Sequence, residues 1–319
     1  MSEFNPLVSI IIPAYNCAKY IGDAIESAVN QTWSNKEIIV VNDGSTDNTL
    51  AVARQYESTG IVKVVDQENK GACNARNNGY TISQGQFIQY LDGDDILALD
   101  KIEKQLGILK DNPDCIISCK WVRFNGDISQ TIGIVGPHQS ISKDLLPIDW
   151  ILIRHTIIPH CWLFSRAIHE RTGGWNETLT CNQDTEFFLR AVVQSKMVMF
   201  CQDTIAYYRT VANENSISKL NSADKFASLL KVGKIYKAIV NNLAKDTPEA
   251  KISIGNYFKE LEYKFYPDYP ELVKECEDQP EIKFANIEYD SRGKFSFIYK
   301  LLGWRSGKKI HERLKKIVK

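Results

Sequence analysis

Three carboxylates stand within four residues in the segment Asp92–Asp95, which reads Asp-Gly-Asp-Asp at the end of a short apolar run. Carboxylates this close repel one another unless a cation neutralises them. Asp92 and Asp94 flank the small Gly93, so both can reach one divalent ion or a ligand bound to it. Oxygen ligands on a loop suit Mg²⁺ or Mn²⁺, which complete their coordination with phosphate oxygens and water. The same segment is also good turn chemistry without a metal, so both interpretations stay open.

Polar and aromatic residues also follow two earlier apolar runs. Pro13–Asn16 comes after the first run, and Asn42–Asp47, which contains an Asp-Gly pair, comes after the second. In an open parallel sheet, ligands bind outside the carboxyl ends of the strands. We therefore expect one edge of the sheet to collect an aromatic ring, an Asp-Gly turn and the carboxylates of residues 92–95.

Short β-rich runs alternate with amphipathic helical segments through the first part of the chain. Residues 7–13 form a continuous apolar, β-branched run, as a strand buried on both faces should. The further predicted strands are 36–43, 61–66, 86–92 and 115–124, and the predicted helices between them are 18–30, 47–57, 72–83 and 100–110. Repeated units of this length predict an α/β fold with a parallel, right-handed, doubly wound sheet.

The rest of the chain is less regular. We predict a short helix at 147–154, a strand near 162–164, a helix at 183–193 with Asn182 as its cap, and strands at 197–200 and 204–209. From about Ser222 the pattern is helical to the end, apart from the Pro-, Asp- and Glu-rich stretch 266–280. These patterns predict an α/β domain over residues 1–210 and a helical C-terminal region over residues 211–319.

A dinucleotide-binding dehydrogenase is the natural competitor for this topology. It requires a glycine-rich fingerprint after the first strand, where the pyrophosphate approaches a helix N-terminus. The corresponding stretch, PAYNCAKY at residues 13–20, is followed by its first glycine only at Gly22. The sequence therefore argues against that class.

Four segments between residues 7 and 95 resemble, in order and spacing, the successive signatures of the family 2 glycosyltransferases. They read VSIIIPAYNCAKYIGDAIESAVNQTW, EIIVVNDGSTDNT, NKGACNARNNGY and FIQYLDGDD. A fifth segment, GGWNETLTCNQDTEFFLR at residues 173–190, is similar to the acceptor-side segment that carries the catalytic carboxylate. The resemblance covers about residues 7–210. It implies a GT-A fold, a Rossmann-like and mostly parallel sheet flanked by helices, followed here by a helical C-terminal extension.

The resemblance also implies a site for a nucleoside diphosphate sugar, with UDP as the expected nucleotide. Asp94 would be the direct ligand of Mn²⁺ or Mg²⁺, and Asp92 would contact the ribose, the metal or water bound to it. Asp43 would accept a hydrogen bond from the base. The implied nucleotide-sugar-binding residues are Pro13, Tyr15, Asp43, Lys70, Arg76, Asp92, Gly93 and Arg209, of which Arg209 would close over the pyrophosphate.

Structural explanations compete with several of these assignments. Tyr15 could fill the core, and Asp43 could merely form a turn with the glycine that follows it. Arg76 could be a solvated helix residue, and Arg209 a strand-end arginine on the surface. The sequence alone leaves these alternatives open.

Asp184 is the residue that the resemblance implies as the catalytic base, which takes the proton of an acceptor hydroxyl as it attacks the anomeric carbon. One displacement without a covalent intermediate inverts the anomeric configuration. Asp184 could instead owe its place to the helix dipole, and Glu186 is the alternative base. Gln183 stands where the family usually has Glu, which leaves one charge fewer beside the base. His160 and Trp162 could line the acceptor pocket, or His160 could be a satisfied structural residue.

We expect transfer of a single sugar to a glycan or lipid-linked acceptor, because the Q-x-x-R-W signature of processive members is not found in the sequence. The alternatives are a sugar-nucleotide-binding protein without turnover and a nucleotidyltransferase. No apolar run is long enough for a spanning helix, and no signal-peptide pattern is found. The eight scattered cysteines fit a reducing compartment. We therefore expect a cytoplasmic protein.

The last twenty residues, 300–319, hold eight basic side chains and one acidic one, a net charge of +7. The other 299 residues carry −7, because the whole chain is neutral. Ile310, Leu314 and Ile317 follow helical spacing, with Trp304 before them. We predict a basic amphipathic segment that binds an anionic membrane surface, with a solvated C-terminal helix docked on the catalytic domain as the alternative. Nucleic acid is not expected as a partner, because no recognised fold accompanies the basic run.

Overall fold

The computed structural model describes residues 4–134, 144–154, 158–210, 222–287, 302–310 and 313. The chain forms two compact units, residues 1–215 and residues 216–319. Within the described residues the strands all belong to the first unit, and the second unit is helical.

The described residues form nine strands and ten α-helices. The strands are β1 (Val8–Ala14), β2 (Lys36–Asp43), β3 (Val62–Gln67), β4 (Phe87–Tyr90), β5 (Ile96–Leu97), β6 (Ile116–Asn125), β7 (Asp127–Ile134), β8 (Phe164–Ser165) and β9 (Val198–Arg209). The helices are α1 (Ile21–Val29), α2 (Thr49–Gln55), α3 (Ala72–Ile82), α4 (Lys101–Leu109), α5 (Pro147–Ile153), α6 (Arg166–Thr172), α7 (Gln183–Val193), α8 (Ala223–Ala244), α9 (Pro248–Phe265) and α10 (Pro270–Glu277).

The first sheet has the order β3-β2-β1-β4-β8, in which only β8 is antiparallel to its neighbour. Strand β1 is apolar along most of its length because it is covered on both faces, and Ile10, Ile11 and Ile12 are fully buried. Burial of each such side chain contributes about 1.5–3 kcal/mol. Helix α3 lies directly on the sheet at Gly79, where a Cβ atom would come within 2.5 Å of Ile11 Cγ2. The expected mostly parallel α/β sheet is therefore confirmed.

A second sheet has the order β5-β9-β6-β7, with β6 parallel to β9 and the other pairs antiparallel. The prediction that residues 115–124 form the fifth strand of the doubly wound sheet is therefore wrong, because they form β6 of this separate sheet. Gly126 takes a positive φ of 76° and returns the chain as β7 along one edge of β6. Strand β9 occupies the other edge, and near its start β6 also forms an isolated antiparallel bridge, from Ile117 to Leu163, the residue before β8.

A single strand, β9, replaces the two strands predicted at 197–200 and 204–209. Its pairing with β6 shifts between Cys119 and Lys120, whose partners are Cys201 and Ile205. The polar residues between those partners form a bulge, and the strand continues through it. The prediction of two strands is wrong because a polar interruption need not end a strand.

Helix α7 covers the residues predicted for it, but the Asn182 side chain accepts no backbone N–H of the first turn. Asn182 adopts a left-handed conformation with a φ of 57°, and its Oδ1 accepts a hydrogen bond from the Thr185 hydroxyl at 2.9 Å. The Thr185 N–H in the first turn donates to the Asp184 carboxylate, also at 2.9 Å. Asp184 is therefore fixed at the start of the helix by the helix itself.

In the second unit, α8, α9 and α10 contact one another. The expectation that residues 266–280 interrupt the helices is wrong in part, because α10 begins at Pro270 within them. Proline is favoured in the first turn of a helix, where its missing N–H has no helical partner to lose. Val273 and Cys276 of α10 are buried and anchor it.

Residues 302–310 form a further helical segment, which contacts α9 within the second unit. The Trp304 ring lies 5.6 Å from that of Tyr263 between centroids, and Arg305 pairs with Glu262. This part of the basic tail therefore packs against α9 of its own unit. No helix within the described residues is both long enough and apolar enough to cross a membrane.

Candidate active site

The acidic turn, Asp92–Asp95, follows β4 at the carboxyl end of the parallel strands. The N–H of its last residue donates to the carbonyl oxygen of its first at 3.1 Å, which closes the turn. Gly93 fits closely there, because a Cβ atom would make tight contacts, 3.0 Å from Cys17 Sγ and 3.1 Å from the Pro13 carbonyl oxygen. The turn is therefore pressed against the end of β1, where the predicted donor-binding residues begin.

Arg76 reaches from α3 to the acidic turn. Its Nη2 donates to Asp92 Oδ1 at 2.7 Å, and its guanidinium lies 4.3 Å from the centre of the Trp175 ring. Both the carboxylate and the indole face attract the cation. Arg76 is buried, so the alternative of a solvated helix residue is wrong.

Asp184 joins this group from the start of α7. Burial raises the pKa of its carboxyl; the Thr185 N–H and the Arg76 charge oppose the rise, and the Asp92 charge adds to it. Gln183, just before it, donates from Nε2 to the carbonyl oxygen of Leu179 at 2.8 Å, so its side chain contacts the segment that precedes α7. The structure thus brings the predicted base, Arg76 and the acidic turn into one electrostatic group.

Glu186, the alternative base, is buried in an ion pair. Arg190 donates from Nε and Nη2 to its two carboxylate oxygens, each at 2.8 Å. The same guanidinium donates to the carbonyl oxygens of Thr172 and Gly174. Glu186 therefore fixes the segment between α6 and α7, and Asp184 is the better candidate for the base.

Repulsion within the acidic turn appears in its pKa values. Burial and then the Asp92 charge raise the pKa of Asp94 to about 6. Asp95 is buried, and burial together with the charges of the other two carboxylates raises its pKa well above the ordinary value. Carboxylates held in this way are stabilised by a nearby cation. The residues present therefore fit the divalent ion that the resemblance implies.

His160 lies against the acidic turn. Asp95 Oδ1 accepts the backbone N–H of Arg209 at 2.7 Å, and Asp95 Oδ2 lies 3.2 Å from His160 Nδ1 without hydrogen-bond geometry. The His160 ring is fully buried, and neither of its nitrogens has a hydrogen-bond partner within the described residues. Burial lowers the pKa of His160 to about 4, so the ring is neutral near pH 7. The sequence offered two alternatives for His160, a residue that lines the acceptor pocket or a hydrogen-bonded structural residue. The buried ring, without hydrogen-bond partners in the described part of the chain, matches neither of them. Trp162 is also buried.

Asp92, Asp95 and His160 each present a possible ligand atom, and these three atoms lie within 4.8 Å of one another. Asp94, the metal ligand that the resemblance implies, is not a member of this group among the described residues. Sequence reasoning did not find the group, because 64 residues separate the histidine from the acidic turn. A histidine just before a predicted strand was the one available signal.

Asp43 organises the loop after β3. Its carboxylate accepts hydrogen bonds from the N–H groups of Lys70 and Gly71 and from Gln67 Nε2, each at 2.8 Å. Asp43 is buried, so it does more than form a turn with the following glycine. The Lys70 side chain is exposed at the same edge of the sheet. Tyr15 is 52% exposed there, so the alternative of a core residue is wrong.

Arg209, which was expected to close over the pyrophosphate, is bound within the protein. Its guanidinium donates to the carbonyl oxygens of Asp94 at 2.8 Å and Gly126 at 2.9 Å. It also donates to Asp23 Oδ2 at 2.6 Å, and the residue is buried. These contacts indicate that Arg209 positions the acidic turn and is not a solvated surface residue.

We expect Arg209→Gln to lower the stability of the fold rather than only to weaken donor binding. The half-buried carbonyl oxygen of Asp94 loses its donor, which costs up to about 1–3 kcal/mol of unfolding free energy. Gly126 is exposed, so water can replace its lost hydrogen bond at a smaller cost. The pair with Asp23, whose side chain is 53% exposed, adds little. Urea unfolding measures the loss, with the exposed Arg123→Gln of β6 as the control. Unchanged stability together with a raised KM for the donor would instead support a phosphate contact.

The fold and the site define a GT-A glycosyltransferase: a mostly parallel sheet carries an acidic turn at its carboxyl edge, beside a carboxylate on a helix. Residues 1–349 of S. aureus TarS, solved in complex with UDP-GlcNAc, match with a TM-score of 0.69 and 19% identity, over 84% of this chain and 79% of that one. A mannosyltransferase from Pyrobaculum calidifontis, solved with GDP-Man and Mn²⁺, matches with a TM-score of 0.54 and 16% identity, over 96% and 83%. At these identities the likeness shows the fold.

The chain belongs to glycosyl transferase family 2, whose model matches residues 9–173. An uncharacterised glycosyltransferase of Rickettsia prowazekii is 34% identical over 229 residues, 71% of this chain and 71% of that protein. The chondroitin synthase of Escherichia coli is 33% identical over 224 residues, which are 68% of this chain and 31% of that protein. The resemblance found in the sequence motifs is therefore confirmed, and the protein is a glycosyltransferase. Family membership favours transfer over the nucleotidyltransferase and binding-only alternatives.

Proposed function

We propose that the protein transfers one sugar from a nucleoside diphosphate sugar, with UDP as the nucleotide, to a hydroxyl group of a glycan or lipid-linked acceptor. The transfer inverts the anomeric configuration. The observation that carries the proposal is the group formed by Asp184, Arg76 and Asp92 at the carboxyl edge of the sheet. The group supports the proposal because it combines a carboxylate, the buried Arg76 guanidinium and the acidic turn at the edge where such sheets bind their ligands.

Asp184 acts as the base. Its carboxylate takes the proton of the acceptor hydroxyl while the hydroxyl oxygen attacks the anomeric carbon and the nucleoside diphosphate leaves from the opposite face. A positioned base of this kind contributes about 10²–10⁴-fold to the rate. The Arg76 charge favours the ionised form of Asp184, which is the form that accepts the proton.

The acidic turn is proposed to hold the divalent ion. Asp94 and Asp92 would bind Mn²⁺ or Mg²⁺, which neutralises the charge that builds on the departing nucleoside diphosphate. The raised pKa of Asp94 supports the proposal, because its carboxylate is destabilised by burial and by Asp92 until a cation is near. The Pyrobaculum mannosyltransferase was solved with Mn²⁺.

The nucleotide is proposed to bind along the ends of β1, β2 and β3. The exposed Tyr15 ring offers a face for the base, next to Pro13. Asp43 is proposed to accept a hydrogen bond from the base while it holds the loop that carries Lys70. TarS was solved with UDP-GlcNAc and the mannosyltransferase with GDP-Man, so proteins of this fold take different bases.

A thermal-shift panel of nucleoside diphosphates and their sugars, with and without Mn²⁺, tests the donor. We expect the largest rise in melting temperature with a UDP-sugar and Mn²⁺ together, because a ligand that binds only the folded state stabilises it. A larger rise with GDP-linked sugars would contradict the choice of nucleotide. NMR of the product tests the mechanism, since retention of configuration rules out a single displacement.

We propose further that the basic residues 300–319 hold the enzyme at an anionic membrane surface, as a lipid-linked acceptor requires. Trp304 is docked within the second unit, so charge rather than apolar insertion would supply the attraction in that part. Each Lys or Arg near an anionic leaflet contributes about 1 kcal/mol. The attraction is screened by salt, so the binding should be reversible.

Liposome sedimentation checks this proposal with two variants of equal net charge. The tail variant replaces Lys315, Lys316 and Lys319 by Gln. The control variant replaces the exposed lysines Lys63, Lys110 and Lys196 by Gln. We expect the wild type and the control to sediment with anionic liposomes at low salt, and the tail variant to stay largely in the supernatant. Equal sedimentation of all three would show that the tail is not the anchor.

A further inference from the structure

We infer that His160 supplies a nitrogen ligand to the divalent cation at the acidic turn. Carboxylate oxygens from Asp92 and the buried Asp95 lie beside it, and Asp94 remains a proposed ligand of the same ion. The inference rests on the proposed function, which places a divalent ion there. It adds a ligand from outside the turn, carried by the segment between α5 and β8.

The distances fit coordination. Asp95 Oδ2 and His160 Nδ1 lie 3.2 Å apart, and the possible ligand atoms of these two residues and Asp92 lie within 4.8 Å of one another. Two adjacent ligands of an octahedral ion with bonds of about 2.1 Å lie about 3.0 Å apart. The Asp95–His160 separation is therefore close to that of two ligands on one ion.

Buried polar atoms of Asp95 and His160 lack hydrogen-bond partners in the part of the chain that the structure describes, which also favours a cation at this place. Asp95 Oδ2 and both ring nitrogens of His160 are buried and have no hydrogen-bond partner within the described residues. A buried polar atom without a partner lowers the stability of the fold. A cation between the carboxylate and the imidazole lone pair satisfies both. Asp92, the one member of the group that is partly exposed, gives the ion access from solvent.

A buried hydrogen-bond network fixes the backbone of His160. Gln89 of β4 donates from Nε2 to the His160 carbonyl oxygen at 3.2 Å. Gln105 of α4 donates to the carbonyl oxygen of Cys161 at 2.9 Å. Lys101 Nζ, which is fully buried, donates to both glutamine side chains, at 2.5 Å and 2.6 Å. The network ties the backbone of the histidine to β4, the strand that leads into the acidic turn, so the residue is positioned beside the turn before any ion binds.

A nitrogen ligand changes the expected choice of metal. Mg²⁺ prefers oxygen ligands, whereas imidazole suits first-row transition metals. The wild type should therefore bind Mn²⁺ more tightly than Mg²⁺. In His160→Gln the Mn²⁺ dissociation constant should rise by about 10-fold or more, because even residues that only orient a ligand contribute 10–100-fold. The Mg²⁺ constant should change less. Calorimetric titration of the nucleotide-free protein measures both.

Pulsed EPR of bound Mn²⁺ tests the ligand directly. The untagged full-length chain is loaded with Mn²⁺ alone, and the echo modulation from a directly bound ¹⁴N is recorded. We expect strong ¹⁴N modulation in the wild type and its loss in His160→Gln. His169→Gln is the matched control, because His169 is also buried but its Nε2 contacts the Tyr90 hydroxyl at 2.8 Å. The modulation should persist in that control.

Absence of ¹⁴N modulation from Mn²⁺ bound to the wild type would overturn the inference, and so would its persistence in His160→Gln. If His160→Gln does not fold, the His169→Gln result is combined with that of a second variant, which replaces the three remaining histidines of the sequence by Gln. That variant replaces His138, His155 and His311, and the modulation must remain in it. Sugar transfer without ¹⁴N modulation leaves the proposed function standing and rejects His160. Modulation without sugar transfer supports His160 as a ligand and rejects the proposed function.

Discussion

Asp184→Asn is expected to bind the donor as the wild type does and to transfer sugar about 100-fold more slowly or worse, because Asn cannot accept the acceptor proton. Asn keeps the size and shape of the side chain, so the start of α7 should stay intact. The loss should appear in kcat, with the donor KM near the wild-type value. Steady-state kinetics of both proteins, with donor binding measured separately, checks this result.

The pH dependence of transfer gives a second check on Asp184. Burial raises the pKa of its carboxyl in the folded protein. Because the base acts only when ionised, wild-type activity is lost as the pH falls through that raised pKa, at a higher pH than for an ordinary carboxyl. In Asp184→Asn the residual activity should no longer show this acidic limb. An unchanged limb would assign the titration to another group.

Glu186→Gln is the matched control, since it makes the same chemical change two residues away. Glu186 is paired with Arg190, which also holds the segment before α7. We expect Glu186→Gln to lower the melting temperature and to leave the pH profile in place. The base would be reassigned if Glu186→Gln lost turnover at unchanged stability while Asp184→Asn kept it.

Local sequence patterns predicted the elements of the first sheet well. Strands β1 and β2 are continuous apolar runs, and such runs report burial on both faces wherever they occur. Strand β6 is equally clear as a strand, yet its sheet depends on pairing with β9, about 80 residues later in the chain. No local sequence pattern indicates that β9 is the strand that pairs with β6. The existence of β6 was therefore predictable, and its place in a second sheet was not.

The site follows the same distinction between local and distant contacts. Asp92 was found because it follows a predicted strand in an acidic turn, and Asp184 because its segment resembles the acceptor-side motif of the family. Arg209 and His160 depend on what faces them in the fold. An arginine at the end of a strand has the same local sequence whether it meets a phosphate or, as here, the carbonyl oxygens of Asp94 and Gly126. Its partners could be named only from the structure.

Asp94→Asn is expected to abolish transfer and the metal-dependent part of nucleoside diphosphate binding. The amide removes the charge that attracts the ion, and the ion neutralises the leaving group in the proposed mechanism. Calorimetric titration of UDP with and without Mn²⁺ measures the binding, and released UDP measures transfer. Asp111→Asn, which alters an exposed carboxylate just beyond α4, is the control and should behave as the wild type.

Asp94→Asn should not lower the free energy of unfolding, because the pKa of Asp94 is raised in the folded protein. The pKa of Asp94 in the folded protein is raised to about 6 by burial and by the Asp92 charge, so ionising it destabilises the fold. This loss of unfolding free energy is absent below the ordinary carboxyl pKa and grows as the pH rises towards 6. It reaches its full value above pH 6. In metal-free buffer Asp94→Asn should therefore melt at or above the wild-type temperature at pH 7.5, and lose this advantage near pH 4. A folded Asp94→Asn protein with wild-type turnover would show that Asp94 does not hold the ion.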